Sequence, residues 1–423
     1  MPKTNSFLRY AAFFAPDLPL PMDLLAKLVG MPEARLTASL ANEGKLVVLS
    51  LGAILDIYPD NLPEPAIEDG ILLLEAVIQW LQKGLNQHNK VRQLESFRLI
   101  GPHMVTLIEK LSPFQLPNQW QLYSLMAQYL MLVGKTEEAC EYFQQAANCY
   151  PEPITAEDPL FNHLILERAD AETARGNYAL AAQLVQDVID KETLANGQPQ
   201  SQHLIQLAHI MFREKDYPKA IELYQKTIRL VKEAGGNKNL AASYWNNLGR
   251  IYLSAGQVKE AIDAFNRSAS LWGHADSTEH HMNRSLALKN LALAFQETKE
   301  YAKAQTAIEE AIQLSESEYG LDHPDIGRDA NIYALILQAQ GQHQAALEQF
   351  RRALRIDTHA FGELHPEVAL TLNNMGTLYA EMGEIEKARQ NFTDARRILE
   401  RCSSESHPYW QQVMENIEGL DQV

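Results

Sequence analysis

The sequence is poor in cysteine, in long apolar runs and in positive charge. Three cysteines occur at irregular spacing, which argues against a disulfide framework and is typical of a reducing compartment. No run of about 18 apolar residues occurs, so no membrane-spanning helix is predicted. Asp and Glu number 54 against 37 Lys and Arg, and the net charge of −17 disfavours nonspecific binding to nucleic acid or anionic membranes. We therefore predict a cytoplasmic protein that binds neither nucleic acid nor a membrane.

Motifs that carry catalysis are also missing from the sequence. It has no Gly-x-x-x-x-Gly-Lys-Ser/Thr loop for nucleotide phosphates, no Gly-x-Ser-x-Gly elbow, and no His-Glu-x-x-His or Cys-x-x-Cys pair. His280 and His281 would point about 100° apart on a helix, so they are poor joint ligands for a metal ion. The sequence predicts a protein that is not an enzyme and that holds no cofactor and no metal.

What the chain does have is an internal repeat. A small residue returns at spacings of 42, 39, 41, 43, 42 and 42 residues. These residues are Ala127, Ala169, Ala208, Gly249, Ala292, Ala334 and Gly376. Near-equal periods of this length indicate a solenoid of stacked helix pairs, in which each pair packs on its neighbours.

The repeated residues have mechanical roles. A second small residue twelve positions later, as in Gly249 with Ala261, lets the two helices of a pair approach closely. An aromatic residue four positions beyond it is predicted to fill the gap to the next pair; examples are Phe143, Tyr224, Phe265, Phe350 and Phe392. Glycines seven positions after the small residue suit the left-handed end of the first helix, and they are Gly134, Gly176, Gly256, Gly341 and Gly383.

Linkers between the later repeats carry a histidine–proline pair, as in His323-Pro324 and His365-Pro366. Proline is favoured at the first position of a helix because its missing N–H would be unpaired there. Metal ligands must converge, whereas these histidines recur once per repeat. They are therefore interpreted as a helix-entry element.

These features resemble the tetratricopeptide repeat over residues 120–402. The period of about 42 residues and the paired asparagines resemble the repeats of kinesin light chains and of many bacterial regulators. The resemblance implies an all-α fold, a right-handed superhelical solenoid of about seven tetratricopeptide repeats. Residues 403–423 are predicted to hold a capping helix, Tyr409–Leu420, whose apolar side covers the last repeat.

The N-terminal part of the sequence differs from the repeats. Three short helices and a hairpin are predicted, at Phe7–Ala15, Met22–Val29, Pro32–Asn42, and Lys45–Ser50 with Ala53–Tyr58. This order indicates a small winged-helix-like domain over residues 1–62, followed by a helical spacer over 63–119.

The segment Tyr10–Leu25 resembles the start of the winged helix in NB-ARC or STAND-type regulatory ATPases, and Leu99–Val105 resembles the helix that precedes their repeats. Two features depart from that family. Tyr58 stands where those proteins usually have a histidine, which contacts the nucleotide in some members, and the phosphate-binding loop is absent. The resemblance is thus to the sensor half of an ATPase switch without its ATPase.

Polar residues on the first helix of each later repeat are the candidate site. By resemblance to kinesin light chains, Asn247, Asn290 and Asn374 are predicted to hold the backbone of an extended peptide, since a carboxamide can pair a peptide unit. Packing between helices is the alternative role for these side chains. The remaining candidates are the neighbouring Asn246, Asn331 and Asn373, with Arg250 and Arg328 as a clamp for an acidic residue. Apolar side chains of the ligand are predicted to enter near Leu293 and Ile332.

The predicted function is a non-enzymatic protein-interaction scaffold or sensor that binds a protein or peptide segment on the concave face of its repeats. Two alternatives stay open. One is a winged-helix transcription regulator with a repeat sensor, for which the predicted last helix, Pro32–Asn42, offers only Arg35 as a cation. The other is the sensor half of a split STAND-type switch, which requires a separate ATPase partner.

Overall fold

The computed structural model describes residues 46–49, 52–55, 77–78, 104–109, 116, 118–152, 158–273, 277–402 and 408–421. The chain divides into two compact units, Met1–Glu214 and Lys215–Val423. Within the described residues, no helix is long and apolar enough to cross a membrane.

A two-stranded antiparallel hairpin lies in the N-terminal part of the first unit. Strand β1, Leu46–Leu49, pairs with β2, Gly52–Leu55, and Leu46 lies opposite Leu55. Gly52 is the first residue of β2, whereas the sequence predicts it between the strands. The three helices predicted before the hairpin, and nearly all of the spacer, lie outside the described residues. The winged-helix-like domain therefore stays a prediction.

Among the described residues of the first unit, five helices with defined bounds follow. They are α1 (Gln119–Leu132), α2 (Thr136–Asn148), α3 (Pro159–Arg175), α4 (Tyr178–Asn196) and α5 (Ser201–Arg213). Each helix packs on the next one along the chain. Small residues at the predicted positions, Ala127, Ala169 and Ala208, are completely buried where these helices meet.

Ten helices make up the described part of the second unit. They are α6 (Tyr217–Glu233), α7 (Lys238–Ser254), α8 (Val258–Trp272), α9 (Thr278–Glu297), α10 (Tyr301–Tyr319), α11 (Pro324–Ala339), α12 (His343–Phe361), α13 (Pro366–Glu381), α14 (Ile385–Cys402) and α15 (Pro408–Asp421). We call α7, α9, α11 and α13 the first helices, and α8, α10, α12 and α14 their second helices. Each first helix packs on its second helix and also contacts the next first helix. This arrangement is the predicted solenoid of helix pairs.

Glycine is required where the two helices of a pair approach most closely. A Cβ atom added to Gly249 would lie 2.5 Å from the Phe265 ring, and one added to Gly376 would lie 2.5 Å from the Phe392 ring. Both distances are far below van der Waals contact. The aromatic ring of a repeat thus lies against the glycine of its own pair, whereas the sequence predicts it in the gap to the next pair.

The first helices end in a left-handed residue, as predicted. Gly256, Gly341 and Gly383 have φ angles of 74°, 75° and 75°. Lys299 occupies the equivalent position after α9 and has a φ of 61°. A left-handed conformation brings the Cβ atom of an L-residue close to the following carbonyl oxygen, so lysine is strained there.

Replacing Lys299 with glycine is expected to stabilise the second unit. Relief of the left-handed strain should outweigh the greater freedom of glycine in the unfolded chain by about 0.5–1 kcal/mol. Denaturant unfolding followed by circular dichroism measures the change. The matched variant Gly383→Ala, at the equivalent position, should lose about 1 kcal/mol. A destabilised Lys299→Gly protein would contradict this account of the turn.

The histidine–proline pairs begin helices, as the sequence predicts. His323 Nδ1 accepts a hydrogen bond from the Asp325 N–H at 3.2 Å, and its ring stacks on Tyr319 with a centroid distance of 4.2 Å. His365 does the same with the Glu367 N–H at 3.3 Å and with Phe361 at 4.4 Å. In the described part of the chain, no group of three or more His, Cys, Asp or Glu side chains is placed to hold a metal ion.

The C-terminal helix α15 covers the end of the last pair. Val413 is buried in one apolar cluster with residues of α13 and α14, and Leu420 is buried in a second cluster. Ile417 packs against both clusters.

Candidate ligand-binding face

Asparagine side chains link successive first helices of the second unit, and one of them belongs to α15. The hydrogen bonds run from Asn290 Nδ2 to Asn246 Oδ1 (2.9 Å), from Asn374 Nδ2 to Asn331 Oδ1 (3.2 Å) and from Asn416 Nδ2 to Asn373 Oδ1 (2.8 Å). We call these six residues the asparagine ladder. Its partners are 43 or 44 residues apart in the chain, one repeat each. The ladder therefore ties neighbouring repeats together.

Burial differs along the ladder. Asn246, Asn373 and Asn374 are buried, whereas Asn290 and Asn331 are half-buried. A carboxamide has two N–H donors and an oxygen with two lone pairs, so one hydrogen bond leaves capacity for others. Asn290 and Asn331 can use that capacity toward solvent or a ligand. Asn373 Nδ2 is buried and has no hydrogen-bond partner among the described residues.

Asn247 does not share the environment of Asn290, although the two occupy equivalent places in the repeat. Its side chain hydrogen-bonds the hydroxyl of Tyr224 on α6. Burial raises the pKa of Tyr224, and the bond from Asn247 acts in the opposite direction. Asn247 is half-buried and lies outside the ladder.

The two predicted arginines lie outside the ladder. Arg250 is exposed near the end of α7. Arg328 is exposed on α11 and forms an ion pair with Asp325 of the same helix. An exposed pair of this kind contributes little to stability, typically about 0–1 kcal/mol.

Between α9 and α11 an ion pair takes the place of an asparagine pair. Ile332 stands where α11 would otherwise offer an asparagine. Lys289 Nζ of α9 lies 3.1 Å from Asp329 Oδ1 of α11, and the Asp329 side chain is only 2% exposed against 20% for Lys289. Burial raises the pKa of Asp329, while Lys289 and a hydrogen bond from Ser315 lower it.

A pocket of about 390 Å³ opens beside this ion pair. We call it the α9–α11 pocket. Lys289, Asp329 and Ser315 line its polar side, and Met282, Leu286, Leu293 and Ile332 line its apolar side. Met282, Leu286 and Leu293 are large apolar side chains that remain more than a third exposed. Leu293 and Ile332 were predicted to flank the entry of apolar ligand side chains, and the structure brings both to this pocket.

In the first unit, hydrogen bonds also link the odd-numbered helices α1, α3 and α5, but there carboxylates are the acceptors. Gln128 of α1 donates to Glu167 of α3 at 2.7 Å, and Gln206 of α5 donates to Asp170 of α3 at 2.7 Å. Burial raises the pKa of both carboxyl groups. Among the described residues, carboxamide pairs that link helices of successive repeats are thus found only in the second unit.

The roles of three residues of this face were not predicted from the sequence: Asp329, Asn416, and Lys289 as an ion-pair partner. Asn416 follows Asn373 by 43 residues, the spacing that also separates Asn331 from Asn374. That spacing is the signal that could have identified Asn416. Asp329 has no such signal, because its partner Lys289 is not an asparagine.

A buried carboxyl group near this face makes stability depend on pH. Asp357 of α12 is 2% exposed, and burial raises its pKa from 3.8 to about 6. Thr371 donates a hydrogen bond to Oδ2 at 3.3 Å, whereas Oδ1 has no hydrogen-bond partner within the described ranges. Because the folded-state pKa is the higher one, this group favours folding most at low pH, and the contribution is lost as pH rises through about 6.

Asp357→Asn is therefore expected to raise the thermal midpoint at neutral pH. Removing the buried charge should stabilise by about 1–2 kcal/mol after allowance for solvent screening. The difference from the wild type should shrink as pH falls below about 6. Thermal unfolding at a series of pH values tests this, with the exposed Glu363→Gln as control. A constant difference at every pH would refute it.

The family comparison identifies helices α5 to α14. Residues 200–272, 283–359 and 328–401 match the tetratricopeptide repeat model, and these ranges cover α5 to α8 and α9 to α14. The chain contains tetratricopeptide repeats. Their helix boundaries, close glycines and left-handed turns are those described above.

Solved structures that contain tetratricopeptide repeats are similar to this chain. A signal transduction ATPase with numerous domains (STAND) with a tetratricopeptide repeat sensor, from Pyrococcus horikoshii, superposes with a TM-score of 0.53 at 12% identity, over 99% of this chain and 65% of that one. A Podosopora anserina protein with nearly identical kinesin-light-chain TPR-like repeats gives a TM-score of 0.42 at 20% identity, over 47% and 93%. At 12% identity, the likeness to the STAND protein shows the fold alone.

A curated relative matches a stretch of this chain. The anaphase-promoting complex subunit cut9 of Schizosaccharomyces pombe is 27% identical over 165 residues, which is 34% of this chain and 24% of the relative. The chain thus spans about a quarter of that protein's length. Repeats of this kind generally mediate protein–protein interaction.

Proposed function

We propose that this chain is a protein-interaction scaffold whose first helices in the second unit bind an extended segment of a partner protein. The asparagine ladder and the α9–α11 pocket form the proposed binding face. Tetratricopeptide repeats in general support the broader role, and the side chains of this face support the narrower one.

The observation that carries the proposal is the exposed apolar surface of α9. Met282 and Leu286 are one helical turn apart, and Leu293 follows on the same side of the helix. Exposed apolar patches bounded by polar groups are typical of interaction sites. Here the exposed apolar side chains border a pocket. They lie next to asparagine carboxamides that can form further hydrogen bonds.

A bound segment would use two kinds of contact. Its apolar side chain would enter the α9–α11 pocket against Leu286 and Ile332. Its peptide groups would pair with the remaining donor and acceptor of Asn290 and Asn331, each worth about 0.5–1.5 kcal/mol. Buried Asn246 would then act by holding Asn290 in place.

A displayed library of random dodecapeptides provides the first test. Selected peptides are added to the protein, and hydrogen exchange is measured with and without them. We expect slower exchange in α9 and α11 and unchanged exchange in α2 and α4. Failure to select any peptide, or protection confined to the first unit, would refute the proposed face.

Asn290→Ala is expected to weaken a selected peptide by about 0.5–1.5 kcal/mol, measured by calorimetry. The variant removes both the contact to the peptide and the support that Asn246 receives. Asn391→Ala is the matched control, because Asn391 lies on a second helix and bonds Lys387 O of that same helix. Equal affinities for Asn290→Ala and the wild type would move the site away from the ladder.

A second candidate is the sensor part of a STAND-type switch that works with a separate ATPase chain. The superposition on the Pyrococcus protein, with a TM-score of 0.53, supports it. This candidate uses the same binding face, with the ATPase as an additional partner. It predicts that a STAND-type ATPase chain co-purifies with this protein and that its hydrolysis rate changes when the selected peptide is added.

A further inference from the structure

Resting on the proposed function, we infer that Lys289 determines the specificity of the α9–α11 pocket by receiving a carboxylate of the bound segment, which then shares the lysine with Asp329. The ligand class is a peptide with an Asp or Glu side chain next to an apolar residue. The sequence instead predicts Arg250 and Arg328 for this role.

The geometry favours Lys289 over the two arginines. Its ammonium group lines the pocket and is held at 3.1 Å by Asp329, whose side chain is almost completely buried. Arg328, by contrast, is 61% exposed, and Arg250 is exposed and does not line the pocket. A partly desolvated cation attracts a carboxylate more strongly than an exposed one, because solvent screens it less.

Lys289 has donors to spare. An ammonium group has three N–H donors, and its contacts with Asp329 are to the two oxygens of one carboxylate, at 3.1 and 3.4 Å. The remaining donors are available on the pocket side. Leu286 and Ile332 line the same pocket, so an acidic side chain and an apolar neighbour on one peptide can both be accommodated.

Sharing one ammonium between two carboxylates has a consequence for protonation. The charged and polar groups that face Asp329 are Lys289 from α9, Ser315 from α10 and Asp325 on α11, with Arg328 and Tyr319 also lining the pocket. Burial already raises the pKa of Asp329. A second carboxylate on Lys289 would raise it further, so binding shifts Asp329 toward its protonated form. Affinity for the acidic peptide should then increase as pH falls.

The first experiment compares a selected acidic peptide with its version in which Gln or Asn replaces the acid. Lys289→Gln alone would leave Asp329 buried without a cation, a change that destabilises folds. The variant tested is therefore Lys289→Gln with Asp329→Asn, which removes both charges and keeps a hydrogen-bonding pair. We expect the wild type to prefer the acidic peptide by about tenfold and the double variant to bind both peptides equally. A preference that persists in the double variant would overturn the inference.

The second experiment measures affinity for both peptides at a series of pH values from neutral into the acidic range. The acidic peptide should bind more tightly at the lower pH in the wild type, and Asp329→Asn should abolish the increase. The amide peptide reports the effect of any other titrating group. A wild type that lacks the increase, or an Asp329→Asn variant that keeps it, would overturn the proton linkage and with it the shared lysine.

The outcomes also separate this inference from the proposed function. Peptides that protect α9 and α11 but show no preference for an acid would contradict the role of Lys289 and leave the binding face intact. Selection without any peptide that protects these helices would overturn both.

Discussion

Gly376→Leu is expected to lower the stability of the second unit by about 1–3 kcal/mol or more. Gly376 lies on α13, and even a Cβ atom there would fall 2.5 Å from the ring of Phe392 on α14. The ring is itself buried, so it cannot turn into solvent. The two helices must therefore separate, and the apolar contacts that hold this pair weaken. Urea unfolding gives the change in free energy.

The matched control uses a helical glycine in open space. Gly419 on α15 has no atom within 4 Å of an added Cβ. Gly419→Ala should be stabilising by about 0.5–1 kcal/mol, because alanine has the better helix propensity. If Gly376→Leu had the stability of the wild type, the close approach of α13 and α14 would be wrong.

The solenoid could be predicted from the sequence because its signals are local and repeated. A small residue every 39 to 43 positions, an aromatic residue sixteen later and a glycine at the turn recur in most repeats. Each of these is required by one helix pair, so the register follows without knowledge of the rest of the chain. The exceptions are informative too, since Lys299 takes the turn conformation of the missing glycine at φ 61°.

The hydrogen bonds of the candidate face could not be predicted in the same way. Asn246 and Asn247 are adjacent, and side chains one residue apart on a helix point about 100° from each other. Small rotations of α7 decide which of them meets the next first helix. The structure places Asn246 in the ladder and directs Asn247 to Tyr224. Asn290 occupies the position equivalent to Asn247 but belongs to the ladder, so equivalent sequence positions do not have equivalent partners.

The ion pair of Lys289 and Asp329 illustrates a second limit. In the sequence, Lys289 only interrupts a series of asparagines. The role of Lys289 depends on Asp329, which lies 40 residues further along the chain and becomes buried between α9 and α11. Such burial is a property of the packed helices. Because of it, Lys289 forms the charged side of a pocket.

Phe350→Ala is expected to have the largest effect on stability, about 3–5 kcal/mol. Phe350 of α12 is completely buried in a cluster that includes Leu337 of α11 and Met375 and Leu378 of α13. Alanine would leave a cavity that these neighbours fill only in part. Phe361→Ala, on the same helix, is the control, because Phe361 is 40% exposed; it should lose less than about 1.5 kcal/mol.

The order in which the helices of the Phe350→Ala variant unfold tests whether each repeat is stabilised mainly by the repeats next to it. A solenoid gains its stability from each repeat and from the interfaces between adjacent repeats. Phe350 lies in the cluster that joins the α11–α12 pair to the α13–α14 pair and reaches Leu420 of α15. The variant should therefore release α13 to α15 first, so their amide hydrogens should exchange faster than those of α7 to α10. If amide exchange became faster to the same extent in all of these helices, the second unit would unfold as one cooperative block. A change at the α9–α11 pocket would then also alter the stability of α15.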